Sequence, residues 1–283
     1  MSTNQTQKPN KTPLVVALIL CVVIALTVTS IILIKKNQKF QTASELLEAG
    51  QMQDAYDIFA LLGKFRNADE KAAQIRLTKN DAVMHNCKPG DIIYFGTYEQ
   101  DNKESNGKEE IEWIVLDVQD SQALVVSKYA LDCQKYHGKY GDITWDKCDL
   151  RKWLNREFLN TAFCDTEKAM IPTVTVKAEP NPDYETDPGV DTQDKVFLLS
   201  IQEAARYFPT DDDRECAGTL YAQEMDAYIQ GITRNCWWWL RSPGDDPRDA
   251  AYVLSNGEII PYGYFIGIYN IAVRPALWIE LPN

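Results

Sequence analysis

Residues 13–34 form an apolar run of 22 residues without a charged side chain, and nothing else constrains the chain as strongly. As a helix rising 1.5 Å per residue it reaches about 33 Å, enough to cross a hydrocarbon layer of ~30 Å. A membrane span is expected at residues 13–35, after a short tail at 1–12. The alternative is a cleaved secretory signal. The run exceeds the usual apolar signal core of about 7–15 residues, and the polar cluster Thr27, Thr29 and Ser30 is followed by further apolar residues. Lys8 and Lys11 precede the run and Lys35, Lys36 and Lys39 follow it, so flanking charge does not separate the two orientations. A head of twelve residues is too small to be a domain, which places the folded mass C-terminal to the span and, for a single-pass protein of this layout, outside the cell membrane.

Charge narrows the partners of that mass. None of the 41 acids precedes Gln38, so the chain after Lys36 carries 25 bases against 41 acids, a net charge of −16. Such a surface is repelled by phosphate backbones and anionic headgroups, which argues against nucleic acid as a partner and leaves the bilayer to residues 13–35 alone. Cys21 lies in the span. The other six, Cys87, Cys133, Cys148, Cys164, Cys216 and Cys236, fit an oxidising exterior by their even number and fit buried thiols equally well, since no spacing spells a compact disulfide framework.

Beyond Lys39, Ala43, Leu46, Leu47, Ala55, Phe59 and Leu62 recur at three- and four-residue steps, with Gly50 and Gly63 placed as helix stops. Residues 40–84 read as an amphipathic helical stalk of two helices and the start of a third. Their order of Leu-Leu, Gly, Ala-Tyr, Phe and Leu-Gly resembles a tetratricopeptide-like unit of the kind that follows membrane anchors in bacterial surface proteins. Barely one and a half units are present, whereas a stacked array needs three or more. A spacer is the simpler expectation.

Residues 85–283 change character. Short β-branched and aromatic runs at 91–98, 111–118 and 123–129 predict strands, the first two separated by a polar stretch containing Asn106-Gly107. A helix is expected at 149–158, where Leu150, Trp153, Leu154 and Phe158 share a face behind Asp149. Ser200-Ile-Gln-Glu203 is a capping-box pattern opening a helix to Tyr207, after a strand at 196–199. Runs at 251–254 and 258–260 flank Ser255-Asn256-Gly257, a hairpin turn, and the final strand is 276–279. Segregated strands and helices without a strand–helix rhythm make the domain α+β.

Five blocks then carry a resemblance: IEWIVL at 111–116, TWDKCDLRKWLN at 144–155 with Phe158, DKVFLLS at 194–200, WWLRSPG at 238–244 and VRPALW at 273–278. In this order, over roughly 170 residues, they resemble the signature of an uncharacterised bacterial surface-domain family. The resemblance implies a C-type lectin-like, sulfatase-modifying-factor-like fold, with a Trp-rich strand and an Arg-containing terminal strand closing the sheet. It implies no activity.

The chemistry of the residues points away from turnover. His85 and His137 sit in no metal-ligand pattern, and no nucleophile motif or phosphate loop occurs, so neither metal nor cofactor is expected. Oxidases of the lectin-like fold resemble this chain only in the late pair Cys216 and Cys236. The acids Asp211-Asp212-Asp213, Asp245-Asp246, Glu179 and Asp183 read first as solvated charge. Glu179-Pro180-Asn181 resembles the sugar-binding tripeptide of calcium-dependent lectins, but the partner motif Trp-Asn-Asp is missing.

Aromatic residues say more. In Trp237-Trp238-Trp239 a strand sends the outer two to one face and Trp238 to the other. Trp153 is expected to pack, and Arg241 and Arg274 to pin carbonyls or carboxylates by charge-assisted bonds. Tyr262, Tyr264 and Tyr269 stand in a glycine-interrupted stretch read as a loop, and tyrosine joins apolar area to a hydroxyl at little entropic cost. The expected function is therefore binding of an extracellular glycan or protein through Asp245, Asp246, Tyr262, Tyr264, Tyr269 and Trp238. A carboxylate-pair hydrolase of cell-wall or host polymers and an assembly module of a surface complex are the alternatives, and the sequence leaves the oligomeric state open.

Overall fold

A computed structural model describes residues 12–282. The expected N-terminal tail, with Lys8 and Lys11, lies outside the described residues except for Thr12. No Gly or Pro interrupts residues 14–49, and a single helix, α1 (Thr12–Glu48), runs from the apolar segment into the stretch expected to open the stalk. Its apolar part is long enough to cross a membrane. Within it the hydroxyls of Thr27, Thr29 and Ser30 donate to the carbonyls of Ile24, Ala25 and Leu26, each at 2.8 Å. These polar side chains are satisfied by the helix itself, as an apolar solvent requires.

Gly50, at φ +77°, ends α1 in a left-handed stop: Gln51 N–H donates to Leu46 O at 2.9 Å and Gly50 N–H to Leu47 O at 3.1 Å. The chain turns into α2 (Met52–Leu62), which packs on α1 through fully buried Ala43 and Ala55 and an edge-on pair of Phe40 and Phe59 with ring centroids 5.5 Å apart. This hairpin belongs to the first of two compact units, Met1–Ala68.

The second unit, Asp69–Asn283, holds α3 (Ala68–His85) and a mixed α+β body. Apolar runs, partly alternating in β1 and β2 and continuously buried in β3, give the meander β1 (Ile92–Tyr98), β2 (Glu109–Gln119) and β3 (Gln122–Ser127), followed by short β4 (Asp132–Cys133). The helix expected over residues 149–158 is divided: α4 (Asp149–Trp153), a π-helical turn at Leu154–Phe158, then α5 (Leu159–Ala162). Asn155 lies in the π turn. Its amide donates to Val196 O at 2.8 Å and its Oδ1 accepts from Lys195 N–H at 2.9 Å, fastening the turn to a neighbouring strand. Trp153 is half-buried, its ring 5.6 Å from that of Phe158.

There follow α6 (Asp165–Ala169), the paired strands β5 (Val174–Val176) and β6 (Thr192–Asp194), and β7 (Val196–Phe197). Helix α7 (Ile201–Tyr207) opens with the capping box of its sequence: Ser200 Oγ accepts from Glu203 N–H at 3.1 Å, and Glu203 accepts from Ser200 N–H at 3.0 Å. Such a cap contributes ~1 kcal/mol. Short helices α8 (Asp211–Arg214) and α9 (Leu220–Glu224) lead to β8 (Ile229–Gln230), β9 (Asn235–Cys236), β10 (Trp238–Pro243), β11 (Asp249–Val253), β12 (Ile259–Phe265), β13 (Ala272–Val273) and β14 (Ala276–Glu280).

Two five-stranded sheets form the core, ordered β1-β2-β3-β14-β7 and β12-β11-β10-β13-β4. All their pairings are antiparallel except β10 with β13. Helix α3 is locked to this body by Arg76, whose guanidinium donates to Glu167 on α6; Glu167, 1% exposed, also accepts from Gly96 N–H at 3.0 Å.

Candidate functional site

The Trp triplet sets the site. Trp238 and Trp239 are fully buried on opposite faces of β10, and Trp237, just before the strand, shares the face of Trp239. On the far face the Trp238 indole N–H donates to Arg214 O at 3.2 Å, and the ring stacks 4.9 Å from the Arg274 guanidinium. Trp238 therefore presents nothing to a ligand. On the near face Trp239 packs 5.6 Å from buried Tyr136, and its N–H donates to Gln134 O at 3.0 Å.

Above this layer the rings rise toward solvent. Trp237 lies 4.9 Å from Tyr228, 5.4 Å from Tyr252 and 6.3 Å from Tyr264, and Tyr252 meets Tyr264 edge-on at 6.0 Å. Tyr252 is buried, Trp237 half-buried, and Tyr228 and Tyr264 are exposed at 43% and 39%. The result is a strip of rings in which buried Tyr252 and Trp239 support Tyr228, Trp237 and Tyr264. Burial, then the nearby hydroxyls of Tyr262 and Tyr264 and the charge of Glu258, push the Tyr252 phenol up to about 12, so at neutral pH it is a protonated donor.

Tyr262 and Tyr264 occupy β12, not the loop expected from the glycines. The strand carries a bulge: Tyr252 opposes Ile260 while Ala250 opposes Tyr264. Gly263 makes this possible. It sits at φ +80°, and a Cβ there would lie 2.7 Å from Ala250 O and 2.9 Å from Gly244 Cα. The bulge leaves Tyr262 49% exposed, with its carbonyl accepting from Asp245 N–H at 2.9 Å.

At the other end of the strip, Tyr228 N–H donates to Asn270 O at 2.9 Å, and Asn270 Oδ1 is buried without a hydrogen-bond partner. Neighbouring Tyr269 is exposed, with the Lys135 ammonium 3.7 Å from its ring centre. The tyrosines expected at the site thus border the ring strip from both ends. Tyr228 and Asn270 carried no sequence signal, because they stand in irregular chain; Trp237 was foreshadowed by the alternation of the triplet.

Of the acids, Asp246 and Glu179 are committed elsewhere, whereas Asp245 is exposed and its hydrogen bonds run through its backbone. Asp246 grips Arg248 through Nε at 2.7 Å and Nη2 at 2.6 Å, which holds its carboxyl down at about 2. The Asp245 carbonyl accepts from Thr186 at 3.1 Å. Glu179 accepts from the Ser200 hydroxyl and lies 3.5 Å from Arg241, while the Asn181 amide donates to Pro243 O and Pro261 O, both at 2.8 Å. The oxygens and nitrogens of the lectin-like tripeptide are used in folding. Arg241 also binds Glu203 and the Leu198 carbonyl, at 2.8 Å for the latter, and Arg274 Nε donates to Ser127 O at 3.0 Å.

Among the described residues, the acids of Glu99, Asp101 and Glu109 come within 4.8 Å of one another. Their oxygens shape the β1–β2 connection: Glu109 accepts from Gln100 N–H at 2.7 Å, Glu99 from Lys103 N–H at 2.8 Å, and Asp101 from the Asn106 amide at 2.9 Å. Burial raises the Glu99 carboxyl, and the Asn106 bond lowers that of Asp101.

A family model described as "Domain of unknown function (DUF6273)" matches residues 120–281, a span that contains the whole ring strip. No curated protein and no solved structure matches the chain.

Proposed function

This chain belongs to the DUF6273 family, and on that premise we propose that it is a membrane-tethered recognition protein of the bacterial surface whose C-terminal domain binds a glycan along the Tyr228–Trp237–Tyr264 strip. The observation that carries the reading is a run of three neighbouring rings, Tyr228 and Tyr264 exposed and Trp237 half-buried, above a buried aromatic layer. Isolated exposed aromatics are ordinary, whereas a contiguous, rigidly supported patch is a recognition feature. The rings offer flat apolar area to the C–H faces of a sugar. The exposed hydroxyls of Tyr228 and Tyr264 supply donors and acceptors for its hydroxyl groups.

The C-type lectin-like fold is part of the same proposal. Two five-stranded sheets, with Trp-rich β10 inside one and terminal β14 inside the other, support it. So do the apolar α1 segment and a net charge of −16 beyond Lys36 for a domain held outside the membrane and away from anionic headgroups. The clustered acids Glu99, Asp101 and Glu109 give a carboxylate-pair hydrolase little support, since their oxygens already hold backbone amides and the Asn106 side chain.

The test is an array of bacterial and host glycans probed with the full chain in detergent micelles. The proposal expects selective binding that weakens at least tenfold, ~1.4 kcal/mol, when Tyr228 and Tyr264 are both changed to Ala. Binding that the double variant leaves intact would remove the strip as the site. Capture of a secreted protein in place of any glycan would move the reading to a protein partner.

A further inference from the structure

Beside the β8–β9 hairpin the chain carries a chemical feature that the binding function does not use. Ala217 and Asn235 pair as an antiparallel bridge, so Cys216 and Cys236 stand directly opposite each other, with Cys236 N–H donating to Cys216 O at 2.8 Å. Residues so paired have Cα atoms about 5.5 Å apart, inside the range of roughly 4.4–6.8 Å that a disulfide spans. The thiols touch. Cys236 Sγ is 3.3 Å from Cys216 O, and both side chains are buried at 2% exposure or less. The nearby cation is Arg274, 2% exposed. Its Nε is satisfied by Ser127 O, its guanidinium lies between the rings of Phe208 and Trp238 at 4.9 Å from each, and its Nη1 has no hydrogen-bond partner.

We infer that Cys216 and Cys236 form a dithiol–disulfide couple, closing into a bridge by exchange with a small-molecule disulfide such as oxidised glutathione. Cys216 is the attacking sulfur. Burial alone would raise its pKa, but the hydrogen bond from Cys236 and the Arg274 charge outweigh burial and hold it below the ordinary thiol range, while Cys236 is driven well up. The Cys216 thiolate attacks one sulfur of the small disulfide, whose S–S bond breaks and releases one thiolate that takes the Cys216 proton. Cys236 then attacks the mixed disulfide at Cys216, and the second thiolate leaves with the Cys236 proton. Two protein thiols are oxidised by two electrons, and one small disulfide is reduced to two thiols. Because Cys216 is also a good leaving group, a thiol reopens the bridge readily.

Access is local. The β8–β9 hairpin has two residues per strand, and its tip around Gly231 and Ile232 is fully exposed, so opening it is a smaller event than unfolding the sheet.

The experiment incubates the full chain in detergent micelles with oxidised glutathione or with dithiothreitol, then blocks free thiols under denaturing conditions and digests after Arg and Lys. The two cysteines fall in separate peptides, 215–234 and 235–241. The inference expects these to appear joined in the oxidised sample, with both cysteines blocked in the reduced one, and a thermal midpoint about 6–12 °C higher in the oxidised form, for a bridge closing a loop of this size. Cys133→Ala should leave the joined peptide in place. Blocking agent on both cysteines after oxidation, or Cys236 joined to Cys133, overturns the inference.

Discussion

Changing Glu167 to Ala tests how α3 is held to the sheet domain. Glu167 and Arg76 have side-chain exposures of 1% and 3%, and the carboxylate also accepts the backbone N–H groups of Gly96 and Cys164. Removing it takes a close carboxylate partner away from a buried guanidinium, whose contact with Glu110 spans 4.0 Å. Breaking a buried ion pair by removing one partner costs about 3–5 kcal/mol. In a unit of roughly two hundred residues each kcal/mol lowers the midpoint by about 2–4 °C, so the expected fall is about 6–20 °C. The assay is thermal unfolding of the full chain followed by circular dichroism, with a urea series to fix the free energy. A companion variant, Arg76→Met with Glu167→Leu, removes both charges and should recover at least ~2 kcal/mol of the loss. A single variant within ~1 kcal/mol of the parent, or a double variant less stable than the single, would refute the reasoning.

Three further outcomes follow from local geometry. Gly257 and Gly231 both have positive φ, at +79° and +63°, but a Cβ on Gly257 would fall 1.7 Å from Asp211 O while one on Gly231 meets open space; Gly231→Ala should therefore cost about 1–2 kcal/mol of strain in urea unfolding and Gly257→Ala distinctly more. The Asp246 carboxyl, held down by Arg248, should titrate at about 2 by carbon NMR and return toward its ordinary value in Arg248→Met; its stabilising contribution is complete above the unfolded pKa near ~4 and is lost as pH falls through about 2. A titration near ~4 in the parent would contradict the ion pair. The full chain should stay with membranes on alkaline extraction, and a chain lacking residues 1–38 should be released; release of both would contradict the span.

What the sequence disclosed depended on how local the determinant was. The capping box at Ser200 and Glu203, the turn at Ser255-Asn256-Gly257 and the β-branched and aromatic runs of β1, β2 and β3 are set by residues a few positions apart, and they fold as read. The π turn at Leu154–Phe158 was hidden because its cause, the Asn155 amide on Val196, acts across 41 positions. Placement of β14 between β3 and β7 is likewise a long-range pairing that no local pattern encodes. At the site, the face of Trp237 was legible from strand alternation. The bulge that turns an expected loop into β12 depends on how closely Gly263 approaches Ala250, and Tyr228 reaches the strip through irregular chain whose course has no periodic signal.

Hydroxyl-radical footprinting of the full chain, with and without a glycan selected on the array, reports on the ring strip itself. Glycan bound there leaves protection confined to Tyr228, Trp237 and Tyr264, with Tyr94 and Tyr140, exposed at 40% and 76%, reacting as before. Unchanged reactivity of the three strip residues at saturating glycan, or protection centred on Tyr94 or Tyr140, would contradict binding at the strip.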